Sequence, residues 1–71
     1  MKELKSIILN QLNTFPPEQR EVYLLKEYGE LSYREIAKAT NSKVELVKSR
    51  LYKTRQKLMK QIFKILGPEL K

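Results

Sequence analysis

The chain has 71 residues, with 15 lysines and arginines against 8 acids for a net charge of +7. That is short enough for one marginal core and basic enough to point to a polyanionic partner. It contains no cysteine, histidine or aspartate, which removes disulfides, the usual zinc ligands, the usual general base and the Ser-His-Asp arrangement together. No apolar run nears the ~20 residues of a membrane span, and Met1-Lys2-Glu3-Leu4-Lys5 lacks a signal peptide's apolar stretch. What remains is a cytoplasmic binding module, with no enzyme, cofactor, metal or membrane expected.

The punctuation predicts an all-α chain of four helices, about 2–13, 17–28, 33–40 and 43–66. In the first, Leu4, Ile7, Ile8 and Leu12 follow the spacing of one buried face. Phe15-Pro16-Pro17-Glu18 interrupts it, because a proline pair cannot continue a helix but can open one. The second helix is expected to bury Val22, Leu25 and Tyr28, with Gly29 supplying a left-handed C-cap.

Ser32-Tyr33-Arg34-Glu35 reads as a capping box opening a short third helix whose inner residues are Ile36 and Ala37. Asn41-Ser42 forms the next break, asparagine tolerating positive φ. Ser42-Lys43-Val44-Glu45 reads as a second capping box, and Gly67-Pro68 ends the long fourth helix. Strict apolar/polar alternation never persists for five residues, so no strand is expected.

The fourth helix carries two stripes. Val44, Val47, Leu51, Leu58, Ile62 and Ile65 share a narrow arc when stepped at about 100° per residue. Arg50, Lys53, Lys57, Lys60 and Lys64 form a basic ridge about 21 Å long on the far side. Charge is segregated as well: residues 1–33 hold four bases and five acids, residues 34–71 eleven bases and three acids. The C-terminal half is therefore the side expected to face a polyanion.

Residues 33–52 fit a helix-turn-helix, in which a small alanine lets two helices pack closely and the second presents its first turns outward. Such a helix fits the ~12 Å major groove of DNA. Leu31-Ser32-Tyr33-Arg34-Glu35-Ile36-Ala37 and Val47-Lys48-Ser49-Arg50-Leu51-Tyr52-Lys53-Thr54-Arg55 resemble region 4 of bacterial sigma factors, in its extracytoplasmic-function (ECF) form. The upstream Phe15-Pro16-Pro17-Glu18-Gln19-Arg20-Glu21-Val22 run is similar to that family's second helix, and the resemblance covers about residues 12–58.

The resemblance implies a single region 4-like domain over 1–71 that recognises the −35 element of double-stranded promoter DNA through the fourth helix. It also implies docking of the first helices on the β flap of RNA polymerase core, with an anti-sigma factor as a further candidate partner. The family's groove-facing positions fall on Lys43, Glu45, Leu46, Lys48, Ser49, Tyr52 and Lys53, and its phosphate-holding positions on Tyr33 and Arg34. Arg50 and Lys57, from the basic ridge, join the phosphate contacts. Lys48 and Lys53 suit guanine O6/N7, and Glu45 can accept from cytosine N4 or serve Ser42 as its capping partner. Tyr33 is alternatively a half-buried core aromatic and Lys53 a solvated lysine, while Arg55 lies close to the apolar stripe and is expected to lay its stem over the core.

The chain departs from the family in carrying Glu45-Leu46 where Gly-Thr is common, and Asn41-Ser42 where a Gly-apolar pair is common. Three other readings stay open. One is a protein-interaction module using the first two helices and residues 58–66. Another is a LuxR-type regulator domain, whose Leu-Ser-x-x-Glu-Ile-Ala stretch is similar. The third is a basic amphipathic helix on an acidic membrane. Nothing in the chain resembles the region that melts the −10 element, so it reads either as a C-terminal domain or as a stand-alone partial sigma-like protein.

Overall fold

The computed structural model describes residues 4–67. Four helices follow in order: α1 (Leu4–Leu12), α2 (Pro17–Glu27), α3 (Tyr33–Ala39) and α4 (Val44–Leu66). No strand occurs among the described residues. α4 is about 35 Å long at 1.5 Å per residue, and it sets the long axis of a 38 × 20 × 19 Å body. The other three helices pack along it, and α2 also packs on α3. The expected helix start at residue 2 and the stop at Pro68 lie outside the described residues.

Each boundary has a local cause. Pro17 opens α2 at a position whose missing N–H costs nothing. At α3 the Ser32 hydroxyl accepts from Glu35 N at 3.1 Å, and the Glu35 carboxylate accepts from Ser32 N at 2.8 Å, the expected capping box. α3 ends in a Schellman turn: Ser42 N donates to Ala37 O and Asn41 N to Lys38 O, with Asn41 left-handed at φ 53°. Gly67, at φ 58°, closes α4.

Three local expectations are corrected. Ser42 does not cap α4; the N-cap residue is Lys43, with no side-chain cap bond. The Ser42 hydroxyl is already engaged by the turn, donating to Thr40 O and accepting from Arg50 Nη1, which leaves the Glu45 carboxylate outside any capping box. Gly29 is not the left-handed residue after α2; Glu30 is, at φ 56°. Glycine is needed at 29 because a Cβ there would stand 2.8 Å from Leu25 O.

The third correction concerns which side chains are buried. α2 packs on both α3 and α4, so its inner face is broad and centres on Val22 and Tyr23. Tyr28, expected inside, is exposed and meets Tyr23 edge to face at 6.5 Å. Burial, and then the Glu27 carboxylate, push the Tyr23 phenol above its ordinary pKa. The core joins Leu12, Phe15, Val22, Ile36, Val47, Leu51 and Leu58. Thr54 completes the α4 stripe between Leu51 and Leu58, fully buried with its hydroxyl donating to Arg50 O at 2.6 Å. Leu4 and Ile65, placed on inner faces by periodicity, lie about half exposed beyond this core.

The capping box carries a pH signature. Its hydrogen bonds, from the Ser32 amide first and the Ser32 hydroxyl second, hold the Glu35 carboxyl below the ordinary glutamate range. A lowered folded pKa means the contribution is full above that range and is lost as pH falls through the lowered value. The melting temperature of Glu35→Gln, which keeps a neutral acceptor, should therefore trail the parent at about pH 7 and converge with it as pH falls below the ordinary glutamate range. A gap that persists in acid would rule out the charged box.

Candidate nucleic-acid interface

The Asn41 turn brings α3 and α4 together as a helix-turn-helix, with Ile36 and Ala37 of α3 buried against Val47 and Leu51 of α4. The Ser42–Arg50 hydrogen bond (3.3 Å) ties the turn to the second turn of α4. With Val47, Leu51 and Thr54 turned inward, the opposite side of α4's first turns faces outward. Stepped at about 100° per residue, Glu45, Ser49, Tyr52 and Gln56 fall within about 60° of one another, opposite the core. All four are exposed, Tyr52 by 66%.

The remaining groove-facing candidates surround this strip. Lys53 and Leu46 stand on one flank and Lys48 on the other, with Lys43 at the N-cap, and all are exposed. The structure thus gathers the seven candidates on one end of α4. Gln56, one heptad after Ser49, belongs to the same face and was missed; its spacing from Ser49 was the available signal.

The phosphate candidates divide. Arg34 is exposed at the start of α3. Tyr33 is half-buried and packed against the core, with Lys26 Nζ 4.7 Å and Lys48 Nζ 5.5 Å from its ring centroid. Two amides at the start of α3, those of Ser32 and Glu35, are occupied by the capping box. Arg50 is half-buried and partly committed to Ser42, while Lys57 is exposed with its ammonium 4.7 Å from the Phe15 ring centroid. Arg55 is not free for DNA: it pairs with Glu27 across from α4 to α2, a hydrogen bond that holds the guanidinium above its ordinary pKa.

Residues 5–58 match the family model described as Sigma-70, region 4. The chain belongs to the sigma-70 region 4 family. The match begins inside α1 and so reaches further toward the N-terminus than the 12–58 span of the resemblance. It favours the sigma-type reading of the helix-turn-helix over the LuxR-type one. Region 4 modules are non-catalytic, DNA-binding elements of transcription that work with RNA polymerase. No curated protein matches the chain. Among the described residues no helix is long and apolar enough to cross a membrane.

A second surface of this region 4 unit differs in chemistry. α1, α2 and α4 enclose an open apolar groove of about 540 Å³, floored by Ile8, Tyr23, Leu58 and Ile62 and edged by Met59 and Phe63. The Glu27–Arg55 pair lies on its rim. It lies on the Lys48–Arg55 flank of α4, away from the Lys53–Lys57 flank.

Proposed function

We propose that residues 1–71 act as one promoter-recognition module that reads a −35 element with the first turns of α4. A single observation carries this reading: the exposed strip of α4 opposite Val47, Leu51 and Thr54 is polar, and lysines flank it on both sides. In this arrangement Ser49, Tyr52, Gln56 and Glu45 meet base edges, and Lys48 and Lys53 reach guanines from either flank. Lys43 and Leu46 complete the groove-facing set, and Arg34, Arg50 and Lys57 neutralise phosphates alongside. Glu45, uncommitted to a cap, is available to accept from cytosine N4.

The apolar groove between α1, α2 and α4 supports a second contact, with the β flap of RNA polymerase or with an anti-sigma factor. If that contact were the principal function, duplex binding would be residual and insensitive to changes on α4's outer strip.

The first turns and the far end of α4 separate experimentally. Lys60 lies about 18 Å beyond Lys48 along the axis at 1.5 Å per residue, and Lys53 about 8 Å. Lys53→Ala should cost about 1–3 kcal/mol on the preferred duplex and relax preference at one base position. Lys60→Ala should at most weaken all duplexes alike and reduce the salt slope by about one. Competition binding against single-base variants of the site reads both. A change of preferred sequence in Lys60→Ala with none in Lys53→Ala would refute this register.

A further inference from the structure

Tyr33 carries two ammonium groups over one ring, both inside the ~6 Å reach of a cation–π attraction. Their situations differ. Lys26, on α2, also donates to Leu31 O at 3.4 Å, so it braces the loop that presents the ring. Lys48 is exposed on the first turns of α4 and forms no ion pair among the described residues. Arg55, one heptad further along the same side of α4, is tied to Glu27. The ring itself is half-buried and packed against the core, on the first residue of α3, directly after the capping serine Ser32.

We propose that Tyr33 is a positioning residue for Lys48: its ring, not its hydroxyl, holds the Lys48 ammonium at the α3 edge of the groove-facing strip. α3 then contributes to base preference through Lys48 without touching a base. This rests on the promoter-binding reading above. The physical gain is pre-organisation. A lysine stem has many rotamers, and one already fixed on a rigid ring loses less freedom when it meets its base. A phosphate contact by Tyr33, by contrast, requires the hydroxyl.

The test uses the full chain with Tyr33→Phe, Tyr33→Leu, Lys48→Ala and the Tyr33→Leu/Lys48→Ala pair, each checked for folding by thermal unfolding. Affinities are measured on the preferred duplex and on its single-base variants. Tyr33→Phe should keep the parent's base preference. Tyr33→Leu should lose about two- to fivefold at the position that Lys48→Ala affects, and should add nothing once Lys48 is alanine. In the free protein, nuclear magnetic resonance should show the Lys48 ε-methylene protons shifted upfield by the ring. That shift should persist in Tyr33→Phe and vanish in Tyr33→Leu.

The resonance readout needs no DNA, so the pairing is decided even if a variant folds poorly. Unshifted Lys48 protons in the parent would overturn the proposal. So would independent, additive effects of the two substitutions, or a Tyr33→Phe variant as impaired as Tyr33→Leu. A parent with the upfield shift but no duplex binding would overturn the promoter reading itself, and the base-reading role of the pair with it.

Discussion

Duplex binding should weaken about 10³-fold when salt rises from about 50 to about 200 mM. The cause is counterion release. Arg34, Arg50 and Lys57 are placed on phosphates, and Lys43, Lys48 and Lys53 add their charge on the groove-facing side of the same helix-turn-helix, together enough to displace the counterions of about six phosphates. At a slope near −0.9 per phosphate, log affinity then falls by about five per decade of salt. The short-range pairs that occupy some of these cations do not cancel this, because each is a weak exposed or half-exposed contact. Arg50's bond to Ser42, at 3.3 Å, uses one of its five donors, and Lys57 faces only an aromatic ring. Fluorescence anisotropy across a salt series checks the slope. A flat dependence would mean the apolar groove, and not α4, is the working surface.

Leu51→Ala should cost about 2–5 kcal/mol, the range for truncating a buried leucine. Leu51 is 1% exposed and sits where α4 meets the helices packed along it. At about 0.05–0.15 kcal/mol per residue, a chain of this length has only about 4–11 kcal/mol in hand. The loss is therefore a large fraction of the total, and the variant should approach unfolding at 37 °C. Urea unfolding gives the number directly; a loss below about 1 kcal/mol would mean that the α3–α4 packing is not as described. Base preference should disappear with the fold, because the turn that aims α4 is held by the same side chains.

Boundaries set by local chemistry were legible in the residues. Pro16-Pro17, Ser32 with Glu35, Asn41 and Gly67 mark helix ends within one or two residues of those observed. The stripe Val47-Leu51-Leu58 was legible too, because helical period alone sorts a long amphipathic helix. Tertiary choices were not. Periodicity admits either Tyr23 or Tyr28 as the inner tyrosine of α2, and contact with both α3 and α4 selects Tyr23. Thr54 reads as polar until its hydroxyl is seen bonded to its own helix at Arg50 O. Ser42 with Glu45 has the letters of a capping box, but Arg50, eight residues on, and the Thr40 carbonyl claim the hydroxyl instead.

The candidate interface follows the same division. The seven groove-facing candidates rest on the family resemblance, and all seven are exposed. How the flanks are engaged was not readable. Lys48 meets Tyr33 because the loop after α2 carries that ring across to α4. Arg55 leaves the basic surface because Glu27 lies opposite it, 28 positions away in sequence. Contacts of this kind depend on the packing of α2 against α4 and leave no short-range mark in the chain.

On the proposed reading, the outer strip of α4 reads a particular duplex sequence and polymerase supplies most of the affinity. Selection of bound duplexes from a random pool, with and without core RNA polymerase, tests it most directly. A lone module of this size buries only about 600–1,000 Å² on DNA. The chain alone should therefore enrich a short motif weakly, and polymerase should enrich the same motif strongly by acting as a tether. No common motif in either arm, or a tight and salt-insensitive motif from the chain alone, would contradict the account.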